Sequence, residues 1–395
     1  MKIAILEICT YTHYSAINGL IKTYSVNPNN KIVVYTNNPV AKALRENGIT
    51  ENTTIIVLEN EKNVAPILNT IANTHYDRLH ICTIENHYEE FDAFRPNVDE
   101  IVFHVHNIDI WFDNNVKNNI KNLFFTLKGK TNNVRTVGGF VKDILVRNPK
   151  RASILARIQH GKHKFIVHSE GQKGYLSEFV PAENIIVFPF AINEGLIINS
   201  APRVINEKIR ICIPGIVTDT RRDYTGLCKI LDEILVDIKD RLTFDFLGFV
   251  KKGEPELFNS IRNLEKRGLD LIYYTEFVFG KKFDNALDKA DILLNNQIVQ
   301  VSHTTKYGLS KESGMLFTMI RGCKPAIFPI EYAVDKEFEK ALFYYSSMDD
   351  LKNILLKLAN GELSIEQYKL SANEVAEHYT PHNLYGRLVK EKVTI

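Results

Sequence analysis

The sequence lacks any apolar run near the roughly 20 residues needed to span a bilayer, which argues against a membrane-embedded chain. Its apolar start, MKIAILEICTYTHYS, is too short for a signal peptide and reads as a first strand. The five cysteines (Cys9, Cys82, Cys212, Cys228 and Cys323) are odd in number and scattered, without metal-ligand spacing. That disfavours a disulfide framework or a zinc module and implies a reducing cytoplasm. No Gly-x-Gly-x-x-Gly follows a first strand, and no Gly-x-x-x-x-Gly-Lys-Ser/Thr occurs. Dinucleotide oxidoreductases and P-loop enzymes are thereby disfavoured. Internal repeats, low-complexity tracts and an Asp-x-Asp motif are also missing.

What is present is an ordinary globular composition: 395 residues, 45% hydrophobic and 24% charged, more than one core usually serves. Short runs rich in Ile and Val (2–8, 31–36, 53–59, 78–84, 100–106, 164–169 and 184–190) predict strands. Helical patterns at 14–25, 39–47, 63–74 and 171–179 separate several of them. A polar, proline-containing linker is expected at 193–208. The alternation then resumes, with strands at 210–217, 242–249, 269–277, 291–297 and 325–330 and helices at 224–238, 254–267, 282–289, 312–321, 334–341 and 348–358. The expected fold class is α/β, with two tandem Rossmann-like doubly wound domains facing across a cleft. Their limits are 1–192 for the first and 209–363 for the second. Helices over 364–395, broken at Pro381, are expected to pack back on the first domain.

In such folds ligands bind beyond the C-terminal ends of the strands. Two loops there suit an anion. The first follows Pro214-Gly215 and carries Arg221 and Arg222 before a helix; guanidinium groups and helix N-terminal N–H groups favour a diphosphate. The alternative is a solvated pair beside Asp219 and Asp223. The second loop, KYGLSKESG, places Lys306, Tyr307, Ser310, Lys311, Ser313 and Gly314 before the next helix, where a phosphate or ribose would be held. The alternative there is a helix cap at Ser310 or Ser313.

The second half, through IPGIV…RRDY, LDLIYYTEF, DILLNNQ and YGLSKESGMLFTMIRGCKPAIF, resembles the GT-B glycosyltransferases, enzymes of two Rossmann-like domains that use nucleotide sugars. The resemblance implies a donor segment at 306–329, with backbone groups at Phe277 and Val278 holding the nucleobase. It implies no cofactor beyond the nucleotide-sugar substrate and no metal. The chain departs from the branch with two glutamates seven residues apart: Phe317 stands at the ribose-binding position, Thr304 or Thr305 near the other, and only Glu312 remains, displaced.

In the first half, His104 and His106 share one face of a strand, because side chains alternate. The resemblance makes His106 a contact for the transferring sugar or its phosphate, with His104 and Asn107 on the acceptor side. The resemblance also implies that His13, in the first strand–helix loop, borders the acceptor. His168-Ser169-Glu170 ends the next strand, where Ser169 equally suits a cap. Arg221, Arg222, Lys306 and Lys311 would stabilise a departing diphosphate. His13, His106 or an acid such as Glu312 would serve as general base in an inverting reaction.

Net charge is +2, yet twelve Lys or Arg and one acid, Asp143, fall between Lys117 and Lys164. The apolar residues Phe140, Val141, Ile144, Leu145, Ile154, Leu155 and Ile158 lie beside Lys142, Arg147, Lys150, Arg151 and Arg157. This pattern suits an anionic membrane surface rather than nucleic acid, for which no recognition motif is seen. The expectation is a cytoplasmic glycosyltransferase, peripheral at the inner face of the plasma membrane. Its acceptor would be a cell-surface glycan precursor, lipid-linked or lipopolysaccharide-type, or a protein glycan. A nucleotide-sugar epimerase is one alternative, but the sequence shows no acid–base cluster for it. A non-catalytic GT-B-like partner subunit is the other.

Overall fold

A computed structural model describes residues 1–11, 13–128, 142–159, 161, 163–194, 207–251, 253–278 and 280–390. Residues 129–141 of the basic segment, Phe140 and Val141 among them, and linker residues 195–206 lie outside the described residues.

Among the described residues the first sheet has seven parallel strands: β1 (Lys2–Glu7), β2 (Lys31–Thr36), β3 (Thr53–Val57), β4 (Tyr76–Ile81), β5 (Val98–His104), β6 (Lys164–Val167) and β7 (Ile185–Val187). Their order is β3-β2-β1-β4-β5-β6-β7. The second has six: β8 (Ile209–Cys212), β9 (Leu242–Phe249), β10 (Asp270–Tyr274), β11 (Ile292–Leu294), β12 (Ala326–Pro329) and β13 (Leu342–Tyr345), ordered β10-β9-β8-β11-β12-β13. Every strand pairing is parallel. Both sheets reverse direction after their first strand, between β1 and β4 and between β8 and β11. Such switch points open a crevice beyond the strand ends.

The strands form because helices cover both sheet faces. From Ile3 to Leu6, β1 is fully buried, and in β9 Phe244 and Phe246 are too. Each such side chain contributes about 1.5–3 kcal/mol of burial. Helix Tyr14–Ser25 turns Ile17, Leu20, Ile21 and Tyr24 inward. Asn37 and Ser347 cap the helices that follow them by accepting from Val40 N and Asp350 N.

Several boundaries differ from expectation. β5 stops at His104, although Val105 N still bonds Ile166 O. β10 stops at Tyr274, where its register against β9 shifts, so Phe277 and Val278 lie past the strand. The helix expected from 312 begins at Gly314, with Ser313 as its cap. The segment expected as helix 334–341 is a 3-10 turn, Lys336–Ala341, feeding the unanticipated strand β13.

The chain divides into two compact units. The first comprises Met1–Ile192, Ser302–Glu312 and the chain from Thr380; the second comprises Asn193–Val301 and Ser313–Tyr379. Within the first, Ser302–Glu312 is tied down by Asn122, which exchanges hydrogen bonds with Thr304 (2.9 and 3.1 Å). Thr305 Oγ1 donates to Asp109 Oδ2 at 2.5 Å, and Ile108 N donates to Ser310 O at 2.8 Å. Gly171 permits the approach of this segment: a Cβ there would meet Gly308 O at 2.4 Å. Helix Pro381–Lys390 packs on helix Tyr14–Ser25, whereas helix Glu366–Glu377 packs on the 3-10 turn and on helix Gly314–Gly322 in the second unit.

Candidate active site

The end of β1 carries Glu7, fully buried where a lone acid would be costly. Its Oε1 accepts from Cys9 N (3.0 Å) and Thr10 N (3.2 Å), and its Oε2 from Thr83 Oγ1 (2.6 Å). His13 Nδ1 lies 3.1 Å from Glu7 Oε2 and 3.0 Å from Thr83 Oγ1. Thr83 spends its only proton on Glu7, so Nδ1 of His13 must be the donor. That places a hydrogen on Nδ1, so that in the neutral ring Nε2 is the nitrogen able to accept a proton. A carboxylate that orients an imidazole in this way is the arrangement of an activated general base.

Beside this dyad gather four more histidines: His80 in β4, His104 at the end of β5, and His106 and His168 just past the ends of β5 and β6. One chain is directional. Arg78 Nη1 donates to Tyr24 OH (2.9 Å), so Tyr24 must donate to His80 Nε2 (2.8 Å), and His80 Nδ1–H donates to His104 Nε2 (3.0 Å). Every step works with neutral imidazoles. Burial holds His80 and His104 well below the ordinary histidine range, with the Arg78 charge adding to it at His80. Arg78 itself is anchored by Glu100, 2.6 Å away.

The second group is His106 with His168. Their rings stack at 4.8 Å and 22°, and His106 lies 4.7 Å from the His13 ring. Phe190 packs its edge against all three. His104 and His106 do share a face, with ring centroids 6.4 Å apart. His104 is sunk in the sheet, while His106 reaches the strand ends. Among the described residues no group of three or more His, Cys, Asp or Glu is arranged to hold a metal ion.

In the second unit, Gly215 has φ 107°, and a Cβ there would lie 2.7 Å from Arg222 Nη2. The glycine thus lets the guanidinium lie against the turn that ends β8. Arg222 Nη1 donates to Asn296 Oδ1 (3.4 Å), beyond β11, and Asp223 N donates to Asn296 O (2.9 Å). Arg222 therefore stands at the switch point of its sheet; Arg221 is exposed. The following helix, Tyr224–Glu233, does not offer free N–H groups as expected. Asp219 Oδ1 accepts from Tyr224 N and Thr225 N, and Asp223 accepts from Gly226 N. Two carboxylates already occupy that N-terminus, so an anion must rely on the arginine.

The KYGLSKESG loop is divided. Lys306, Tyr307, Ser310, Lys311 and Glu312 belong to the first unit, and Ser313 and Gly314 to the second. Ser310 locks its own turn, accepting from Lys306 N (2.8 Å) and donating to Thr304 O (2.7 Å). Ser313 caps Met315 N at 3.3 Å and is held by Tyr332. Gly314 is exposed with open space around it. Tyr307 is buried, with the Lys311 amine 5.8 Å from its ring centre, and Asn107 bridges to Lys311 through backbone. Past β10, Phe277 is exposed and Val278 buried.

The basic segment is less free than its composition suggests. Arg147 pairs with Asp143, Lys150 with Glu89, and Arg157 with Asp92; Arg151 is buried against Asn148 and Tyr88. Ile154, Leu155 and Ile158 point into the core. Among the described residues, the segment's exposed apolar side chains are Ile120 and Phe124, beside Val116 on helix Val116–Lys128, together with Leu145 and Val146.

No family model and no curated protein sequence matches the chain. Solved structures do. Alr3699/HepE of Anabaena, in complex with UDP-glucose, aligns over 100% of this chain and 99% of its own at 12% identity, with a TM-score of 0.60. The lipopolysaccharide outer core galactosyltransferase WaaB aligns over 99% of both chains at 12% identity and a TM-score of 0.52. UDP-GlcNAc 2-epimerase from Neisseria meningitidis, bound to UDP-GlcNAc, aligns over 100% of both at 14% identity and a TM-score of 0.51. The fold is GT-B. In this GT-B chain His13, His104, His106 and His168 were visible from their positions at strand ends, whereas His80, inside β4, was not. Glu7, Thr83 and Phe190 were not. The available signal for Glu7 was an acid closing an otherwise apolar strand, since buried acids rarely stand unpaired.

Proposed function

We propose that the protein is a glycosyltransferase, moving a sugar from a nucleotide-sugar donor to a hydroxyl acceptor. The observation that carries this reading is the Glu7–His13 dyad, with its proton-accepting Nε2, at the end of β1. In this reaction His13 Nε2 takes the proton of the acceptor hydroxyl. The hydroxyl oxygen bonds to the anomeric carbon as the bond from that carbon to the diphosphate breaks, its electron pair leaving with the phosphate. Arg222 binds the diphosphate, and Lys306 and Lys311 add positive charge, with no metal required. Uridine nucleotides head the donor candidates, since HepE is described with UDP-glucose and with UDP.

A panel of nucleoside diphosphates, read by thermal stabilisation, tests the donor side. One base is expected to stabilise the protein, and Arg222→Ala to weaken that nucleotide by about 1.5–3 kcal/mol, the range of a charge-assisted hydrogen bond. A flat panel supports the non-catalytic subunit instead; unchanged affinity removes Arg222 from the site.

The epimerase reading gains one observation that the sequence did not offer: Glu7, His13, His106 and His168 form an acid–base cluster. Incubating the stabilising nucleotide sugar without acceptor and following the sugar by NMR separates the two. Inversion of a ring carbon, with the nucleotide still attached, is the epimerase outcome.

For the acceptor we infer a glycan precursor presented at an anionic inner-membrane surface, which would make the protein peripheral there. Helix Val116–Lys128 supports this. Val116, Ile120 and Phe124 form one exposed stripe, Lys117 and Lys121 flank it at helical spacing, and Asn122, on the opposite side, holds the helix to Thr304. No helix among the described residues is long and apolar enough to cross a membrane. Each surface lysine is worth about 1 kcal/mol at an anionic bilayer. Lys117→Ala with Lys121→Ala is expected to lower partitioning onto phosphatidylserine vesicles by roughly 30-fold, that sum converted at 1.4 kcal/mol per decade. Equal partitioning of variant and parent defeats the membrane assignment.

A further inference from the structure

The protons of the His106–His168 pair do not add up for two neutral rings. His168 Nδ1 lies 2.9 Å from Phe188 O, and His106 Nε2 lies 2.8 Å from Cys82 O. A carbonyl oxygen only accepts, so both nitrogens must carry hydrogen. A neutral imidazole has one N–H, and each ring has now spent it. The two remaining nitrogens, His168 Nε2 and His106 Nδ1, face each other at 2.8 Å. Without a further proton, two lone pairs would meet at hydrogen-bond distance. Turning either ring over puts carbon in place of nitrogen at both of its contacts, which loses the bond between the rings and strands a carbonyl. The neighbouring Tyr24–His80–His104 chain shows the contrast: each of its two contacts joins a donor to an acceptor with neutral rings, and the hydrogen left over sits on His104 Nδ1, which is buried without a hydrogen-bond partner among the described residues.

We propose that His106 and His168 hold one proton in common, so that the pair carries a single positive charge beside His13. His168 is then a positioning residue: its Nε2 makes His106 a cation carrier rather than a base, which leaves the base role to His13. Several groups act on the pair. Burial, His13, His104 and Lys311 of Ser302–Glu312 oppose the charge. The Cys82 and Phe188 carbonyls favour it. Glu7 lies behind His13, and Phe190 covers the rings. Burial is the largest of these and holds both rings below the ordinary histidine range, His168 down to about 4, so the pair takes up its one proton as a unit on the acid side and refuses a second.

The charge assignment stands on the distances; its use in turnover rests on the glycosyl-transfer reading. The test is ¹⁵N NMR of the full-length protein, labelled at histidine, from pH 8 to pH 3.5. Resonances of both rings are expected to shift together through one step of one proton, ending with three hydrogens on four nitrogens. In His168→Phe, which keeps a ring but removes the facing lone pair, His106 is expected to stay neutral throughout. His106→Phe is the mirror test should the first variant not fold. Rings that titrate separately, or that keep two hydrogens on four nitrogens over the whole range, overturn the proposal. If the step is present in the spectra but absent from the pH profile of turnover, the shared proton stands and its catalytic role falls.

Discussion

Replacing His13 by glutamine is expected to lower turnover with the stabilising nucleotide sugar by 10²–10⁴-fold, the usual contribution of a positioned general base. That is about 2.7–5.5 kcal/mol of transition-state free energy. The expectation follows from the tautomer. Glu7 and Thr83 together force the proton of His13 onto Nδ1, so Nε2 is available to accept one. Glutamine fills similar space but has no basic nitrogen. Nucleotide affinity should stay unchanged, since Arg222 belongs to the other unit. Glu7→Gln should also lower turnover, because an amide cannot accept from Cys9, Thr10, Thr83 and His13 together. Equal kcat/KM in parent and His13→Gln would remove His13 from the chemistry.

Arg78→Ala is expected to destabilise the first unit by about 3–5 kcal/mol, the cost of leaving one member of a buried ion pair alone. Arg78 is 2% exposed, with Glu100 2.6 Å away at 8% exposure. The guanidinium also donates to Tyr24 OH and to Leu388 O (3.3 Å) of helix Pro381–Lys390. Its loss therefore strands a carboxylate, a phenol network and a helix terminus together. Urea unfolding followed by fluorescence reads this directly. Trp111, the single tryptophan, is buried in the first unit against Phe103. Arg78→Met with Glu100→Leu should recover much of the loss, since replacing both charges leaves neither orphaned. An unshifted midpoint in Arg78→Ala would show that the pair contributes nothing net.

The alternation of apolar strands and helices was legible because parallel strands covered on both faces must be apolar throughout. Short or irregular ends were not. β13 is four residues long, LFYY, and its neighbour is a 3-10 turn without the 3.6-residue pattern. Asp219 shows a second limit. In sequence it is an acid beside two arginines, whereas in three dimensions it folds back onto the helix N-terminus and takes the groups an anion would want. Ser302–Glu312 shows a third. Its chain neighbours lie in the second unit, and pairings with residues far earlier in the chain, Asn122 and Asp109 among them, tie it to the first. Linear distance carries no trace of such partners.

That interleaving bears on how the molecule is made. Residues 193–301 leave the ribosome before Ser302–Glu312 and helix Pro381–Lys390 exist, yet both later pieces complete the earlier unit. During synthesis the N-terminal half must wait, with the surface that helix Pro381–Lys390 will cover still wet and Asn122 and Asp109 lacking their later partners. Its folding cannot close domain by domain as translation proceeds.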